Sequence, residues 1–209
     1  MKTVLLTCEA LEPLVLTDGS AESMAHECLG YIPGNMLLGA MAVVWKQLHR
    51  GQNPDESPQF SRLFLSGDVA WGHALPACAP GPAMPIPASY RHDKDHDALP
   101  PEGEAFEPGE YWVANILTLR DGPEPPSPWQ NAAASRKLRR LGQGFMNPAT
   151  LHRLAERRVF NIHVALGEQR CARDGQLYGY SALARGTRLI SRILCRSAAA
   201  AEELLNLAR

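Results

Sequence analysis

The chain has 209 residues, 45% of them apolar and 21% charged, with a formal net charge of -1. That is enough chain to bury a genuine core in one large domain or two small ones, and the composition excludes a disordered tail. With 17 Gly and 17 Pro the chain must turn often, which argues against a plain helix bundle.

The elements follow in chain order. Met1 to Leu16 alternates Val4, Leu6 and Cys8 with Thr3, Leu5 and Thr7, the pattern of a strand, and bends near Pro13. Thr17-Asp18-Gly19-Ser20 is a turn. Asn35 is placed to cap a helix in which Met36, Leu37, Ala40, Met41, Val44, Trp45 and Leu48 recur at helical spacing to about His49. Ser61 to Ala74 holds an apolar turn and a strand-like Asp68-Val69-Ala70-Trp71. The prolines between Ala77 and Pro87 bar that stretch from a central sheet position. Asp93 to Gly109 reads as an acidic loop, Tyr111 to Leu119 as a strand and Asp121 to Pro128 as a linker. Leu138 to Arg158 reads as basic and partly helical. Val159 to Leu166 is a strand, Asp174-Gly175 a hairpin turn, Leu177 to Leu183 and Thr187 to Leu194 two further strands. Ser197 can cap a final helix, Ala198 to Ala208. This order predicts an α+β fold, an antiparallel sheet with helices on one face.

No apolar run approaches the roughly 20 residues that cross a bilayer. The N-terminus lacks the apolar run and cleavage site of a signal peptide, and the 5 Cys include no CxxC pair. A chain of reduced thiols in the cytoplasm, with no membrane partner, is expected.

The near-zero net charge conceals an asymmetry. Residues 1–134 carry 7 Lys+Arg against 17 Asp+Glu, whereas residues 135–196 carry 13 against 3, and all but Lys137 of those bases are Arg. Arginine's planar fork suits phosphate contacts, so the block is the footprint of a nucleic-acid binder. The alternative is a solvated face paired with the acidic front of the chain.

Several segments share one resemblance. Tyr31-Ile32-Pro33-Gly34-Asn35-Met36-Leu37-Leu38-Gly39-Ala40 resembles the strand-to-helix entry of the RAMP superfamily, the repeat-associated proteins of CRISPR effector complexes. Phe64 to Pro76, containing Ser66-Gly67-Asp68 and Trp71-Gly72-His73, and Pro85-Ile86-Pro87-Ala88-Ser89-Tyr90 with Lys94 are similar to the pieces that follow it. His163 with Arg170 to Leu183 and Gly186 resembles the later hairpin. The combination is most like the type III-D RAMP protein. The resemblance implies a ferredoxin-like (RRM-like) domain over 1–209, with an irregular insertion at about 75–135 and the basic segment at 135–196. It further implies an RNA-binding structural subunit of a type III CRISPR ribonucleoprotein in antiviral defence. Its partners would be guide RNA, target RNA and other effector subunits, with no small-molecule cofactor. Two departures matter. The family's usual base is Leu38 here, which weakens a phosphate contact at the helix entry. A ferredoxin-like unit also needs a fourth strand after its second helix, where this chain stops. A fragment, split subunit or divergent short form is expected, with a sheet edge left open or filled by another chain.

RNA contact is expected from the helix entry at Asn35 and from Arg136, Lys137, Arg139 and Arg140 beside Gly142-Gln143-Gly144-Phe145. Arg157, Arg158, Arg170 and Arg173 flank the later hairpin, where His163 also lies, and Tyr178 with Tyr180 can stack bases or pack within the sheet. The competing activity is a RAMP endoribonuclease, metal-dependent or acid–base, using Asp18, His26 or His163. Turn Asp and strand His are usually structural, so no catalytic residue is assigned. Tyr90 to Asp97 alternates acids with His92, Lys94 and His96; a solvated loop fits better than a zinc site, and no metal is expected. A third alternative is a structural adaptor whose basic stripe meets an acidic protein.

Overall fold

The alternation at the N-terminus does form a strand, β1 (Lys2–Glu9), with Val4 buried and Thr3, Leu5 and Thr7 exposed. In the computed structural model, residues 1–17, 25–26, 28–93, 113–115, 138–155, 157–166 and 172–208 are described. They divide into two units, Met1–Ala77 with Glu156–Arg209, and Cys78–Ala155.

In the first unit β1 is followed by α1 (Gly34–Leu48) and β2 (Val69–Cys78). The chain returns to this unit in a hairpin of β3 (Arg158–Leu166) and β4 (Ala172–Leu183), then β5 (Arg188–Cys195) and α2 (Ala198–Leu207). β5 lies between β1 and β2 and runs antiparallel to both, pairing Val4 with Ile193 and Trp71 with Ile193 from the other side. The β1–α1–β2 connection therefore leaves a gap one strand wide, which a strand from much later in the chain fills. Beyond β1 no further strand pairs with it among the described residues.

Both helices cover one face of this sheet. Trp45 of α1 and Leu204 of α2 are buried with Val4, Leu63, Ile193 and Cys195 in a single core. Burial of a large apolar side chain contributes roughly 1.5–3 kcal/mol, so this stripe accounts for much of the unit's stability. Trp45 donates from Nε1 to Gln59 Oε1 at 2.9 Å, and Trp71 donates to the Leu63 carbonyl at 3.1 Å, so both indoles are satisfied in the core. A second cluster joins Cys28, Leu37, Ala74, Leu183 and Leu189, which ties α1 and the base of the hairpin to the sheet.

The segment before β2 is a turn of helix at Pro58–Phe60 that widens into a π-turn at Ser61–Leu65. Its Arg62 reaches Glu203 of α2 at 2.5 Å. Ser197 caps α2 as expected, its Oγ accepting from Ala200 N at 3.1 Å. Asn35 does not cap α1. It lies inside the first turn, after Pro33, and among the described residues its Oδ1 accepts from the adjacent Met36 N alone. Nor is the apolar stripe of α1 as wide as its spacing implies, because Met36 and Leu48 are exposed.

Two further expectations are corrected. Asp174-Gly175 is not the hairpin turn, since β4 runs through it from Ala172 to Leu183. The ladder slips there instead, with Val164 opposite Leu177 but Leu166 opposite Ala172, so the dipeptide is absorbed as an irregularity inside the strand. Leu138 to Arg158 holds no helix among its described residues. It forms the short strands Leu138–Arg140 and Phe145–Met146 before β3 begins.

The second unit is built from such short pieces. Met84–Pro85 pairs with Phe145–Met146, and Tyr90–Asp93 lies between Val113–Asn115 and Leu138–Arg140. Leu141 and Met146 are buried against Met84, Ile86 and Tyr90. Buried Asn147 orders the following loop: its Oδ1 accepts from Ala149 N at 2.9 Å and its Nδ2 donates to the Ala79 carbonyl at 3.0 Å. Tyr90 to Asp93 is thus a strand and not the loop expected from its alternating charges. No described helix is long and apolar enough to cross a membrane.

Candidate nucleic-acid interface

Two of the resembling segments meet in the first unit. Ile32 N donates to the Ala74 carbonyl and Ala74 N to the Ile32 carbonyl, at 3.0 and 2.9 Å. Next to this bridge, His73 Nδ1 accepts from Gly34 N at 3.0 Å, while the Tyr31 and His73 rings lie 5.2 Å apart. A Cβ on Gly34 would sit 2.2 Å from the Trp71 carbonyl oxygen, so the glycine is required by close packing of the helix start on β2. This pair of motifs builds the fold. Asn35 is exposed beside it, with its side-chain oxygen engaged locally.

The second unit brings together the Pro85–Tyr90 segment and the Gly142–Phe145 segment. Pro85 is opposite Phe145, Ile86 N donates to the Gly144 carbonyl at 3.0 Å, and Leu141 N donates to the Tyr90 carbonyl at 3.5 Å. Gly142 and Gly144 take positive φ of 82° and 131°, conformations that favour glycine, and these carry the loop around the pair. Arg153 donates from Nη2 to the Gln143 carbonyl at 2.6 Å and holds the loop from outside. Between the two segments is a cleft of about 180 Å³, lined by Ile86, Pro87, Ala88 and Tyr90 on one side and Arg140, Leu141, Gly142 and Gln143 on the other.

The neighbouring ladder concentrates positive charge. Arg140 is directly opposite Arg91, and Arg139 is opposite His92. Like charges facing across a ladder are unfavourable without a counter-charge. Arg91 turns its guanidinium onto the carbonyls of Ala88 and Tyr90. Arg139 and Arg140 are exposed, and neither forms an ion pair with a described acid. Successive strand residues face opposite ways, so Arg140 alone stands beside the cleft wall formed by Ile86 to Tyr90, and Arg139 belongs to the other face of the ladder.

The rest of the basic block is distributed. Arg157 and Arg158 are exposed at the start of β3 in the first unit. Arg188 pairs with Glu9 at 3.2 Å and Arg196 approaches Asp68 at 3.8 Å, so these two are engaged by the acidic front of the chain. His163 and Tyr178 occupy one rung of the hairpin, with Arg173 further along β4, but their side chains lie outside the described residues. Arg136, Lys137, Arg170 and Asp18 lie outside them entirely, as do Lys94 and His96; His26 is described only in its backbone, paired with Tyr180. Among the described residues no three His, Cys, Asp or Glu converge as metal ligands.

Gln143 falls in the loop expected beside the basic cluster, whereas Tyr90 and Arg91 were not recognised from the sequence as parts of this site. Tyr90-Arg91-His92 carries the alternation of a strand, the one signal that could have found them.

No family model matches the chain, and no curated protein does. Among solved structures, it is similar to a chain in the cryo-EM structure of the type III-B Cmr-beta bound to cognate target RNA. The TM-score is 0.49 at 11% identity, covering 98% of this chain and 88% of that one. A chain in the apo-state structure of the type III-B Cmr-beta gives 0.47 at 10% identity, covering 97% and 87%.

Proposed function

We propose that this chain is a non-catalytic, RNA-binding subunit of a type III CRISPR ribonucleoprotein, a RAMP protein most like the type III-D member, acting in the cytoplasm. Its first unit is a ferredoxin-like core in which β1, α1, β2, β5 and α2 fill successive positions and the fourth strand is not supplied by the described residues. The unit Cys78–Ala155 is an insertion between the second and third strands of that core. The mechanism is positioning: arginines neutralise the phosphates of a guide RNA while the acidic front of the chain faces protein neighbours or solvent.

The four motif segments, in family order from Tyr31 to Gly186, support the assignment. The observation that carries RNA contact is the exposed Arg139–Arg140 pair, set opposite His92 and Arg91 with no described acidic partner. A protein that binds by this pair loses affinity steeply with salt, with a slope near -0.7 per phosphate contact on a single strand. Filter binding of single-stranded RNA between about 50 and 300 mM salt, across which the Debye length shrinks from about 14 to about 6 Å, measures that slope. Arg139→Glu with Arg140→Glu should weaken binding and flatten the slope by roughly 1–2. Binding that ignores both salt and these substitutions would refute the reading.

A further inference from the structure

The cleft beside Arg140 has more structure than phosphate neutralisation requires. Its lining is mixed in nearly equal measure, with apolar surface from Ile86, Pro87, Tyr90 and Leu141, and Arg140 as the one cation among the lining residues. Tyr90 and Ile86 pack against buried Leu141 and Met146, so the aromatic wall is held in place by the unit's own core. The loop across from it is fixed through the Ile86 N to Gly144 carbonyl bond and the Arg153 bond to the Gln143 carbonyl. A slot with apolar side chains on its walls, polar groups at its lip and a guanidinium at one side is a complement to a ligand that is flat and apolar on its faces and anionic next to them. At about 180 Å³ it is smaller than the roughly 300–1,000 Å³ of sites for extended ligands, so it takes a single ring system.

We propose that this cleft receives one unpaired base of a bound RNA strand, against the Pro87–Tyr90 wall, with the adjoining phosphate on Arg140. The inference rests on the RNA-binding reading above and adds to it the location and form of a base contact. Exposed Gln143, at the lip, is the residue placed to read the base edge.

The test uses the full chain and a single-stranded RNA carrying 2-aminopurine, whose emission falls on stacking, with fluorescence anisotropy for affinity. Tyr90→Ala should weaken binding about ten-fold and remove the quenching, whereas Tyr90→Phe should keep both. Because Tyr90 also supports the core, Ala88→Leu provides an independent variant. Ala88 is exposed at the mouth, so a branched aliphatic side chain there narrows the slot and offers no stacking face of its own. It should abolish quenching in a protein with unchanged circular dichroism, leaving a weaker, salt-dependent residue of binding. RNA binding with the expected salt slope, but with quenching and affinity indifferent to Ala88→Leu, would overturn the base site and leave the RNA-binding reading standing. Absence of any RNA binding would overturn both.

Discussion

Gly34→Ala isolates the contact between the helix entry and β2. On helix propensity alone this substitution should stabilise, because alanine in place of glycine gains about 0.5–1 kcal/mol. Here the new Cβ would stand 2.2 Å from the Trp71 carbonyl oxygen and 3.1 Å from its carbon, a collision with backbone that no rotamer relieves. The helix start must therefore retreat by about 1 Å. That movement strains the Gly34 N to His73 Nδ1 bond and the paired Ile32–Ala74 bonds. Three weakened hydrogen bonds at about 0.5–1 kcal/mol each, with an overpacking cost of about 1–3 kcal/mol, outweigh the propensity gain. The net expectation is a loss of about 1.5–5.5 kcal/mol. Urea unfolding followed by tryptophan fluorescence reports it directly, since Trp45 and Trp71 both belong to this unit's core. The midpoint should fall with the slope unchanged. A Gly34→Ala protein as stable as the parent would show that the close approach of α1 to β2 is not a feature of the folded chain.

Other expectations follow from the same packing. Ser197→Ala removes the only side-chain acceptor at the start of α2 and should cost about 1 kcal/mol, with Ser197→Asp retaining most of the stability, as read by thermal unfolding. Arg62→Ala leaves Glu203 half-buried without its partner and with an Oε2 that already lacks one, so a loss of about 1–3 kcal/mol is expected, and Arg62→Ala with Glu203→Leu should recover part of it. Burial pushes the Cys8 and Cys195 thiols above the ordinary value of 9.0. The folded state then favours the protonated thiols, so their stabilisation is complete below about pH 9 and declines as pH rises above it. Native protein should label slowly at these two positions at pH 8 relative to urea-unfolded protein, and equal labelling rates would contradict their burial.

Much of the first unit could be read from local pattern. The Leu37, Met41, Val44 and Trp45 spacing located α1, and Ser197 before an alanine run located α2, because in both cases one face meets one core. The failures came where apolar residues answer to several partners. Leu138 to Arg158 reads as partly helical, with Pro148 and Thr150 opening the segment Leu151 to Ala155. In the structure Leu154 N donates to the Phe145 carbonyl and Met146 bridges Arg153, so each is claimed by a different cross-chain contact. Asp174-Gly175 failed for a related reason: the ladder on both sides of it outweighed its turn preference, and the misfit was taken up as a register slip. At the site, Arg139 and Arg140 were legible from charge density alone. Their relation to Arg91 was not, because it depends on a register between strands that are remote in sequence. His73 was likewise hidden, being an ordinary strand residue until the helix entry is docked against it.

The side of β1 against which no described strand pairs bears on how the isolated chain behaves in solution. Between Lys2 and Glu9 it has no proline and no slip in its ladder with β5, and charged side chains stand only at its two ends. A run of amides and carbonyls with no described strand beside it is a template for polymerisation unless something blunts it. Concentrating the lone protein should therefore raise its light scattering, and a charge or proline placed at Leu5 should keep it monodisperse, because colloidal stability would then depend on a single ribbon of backbone.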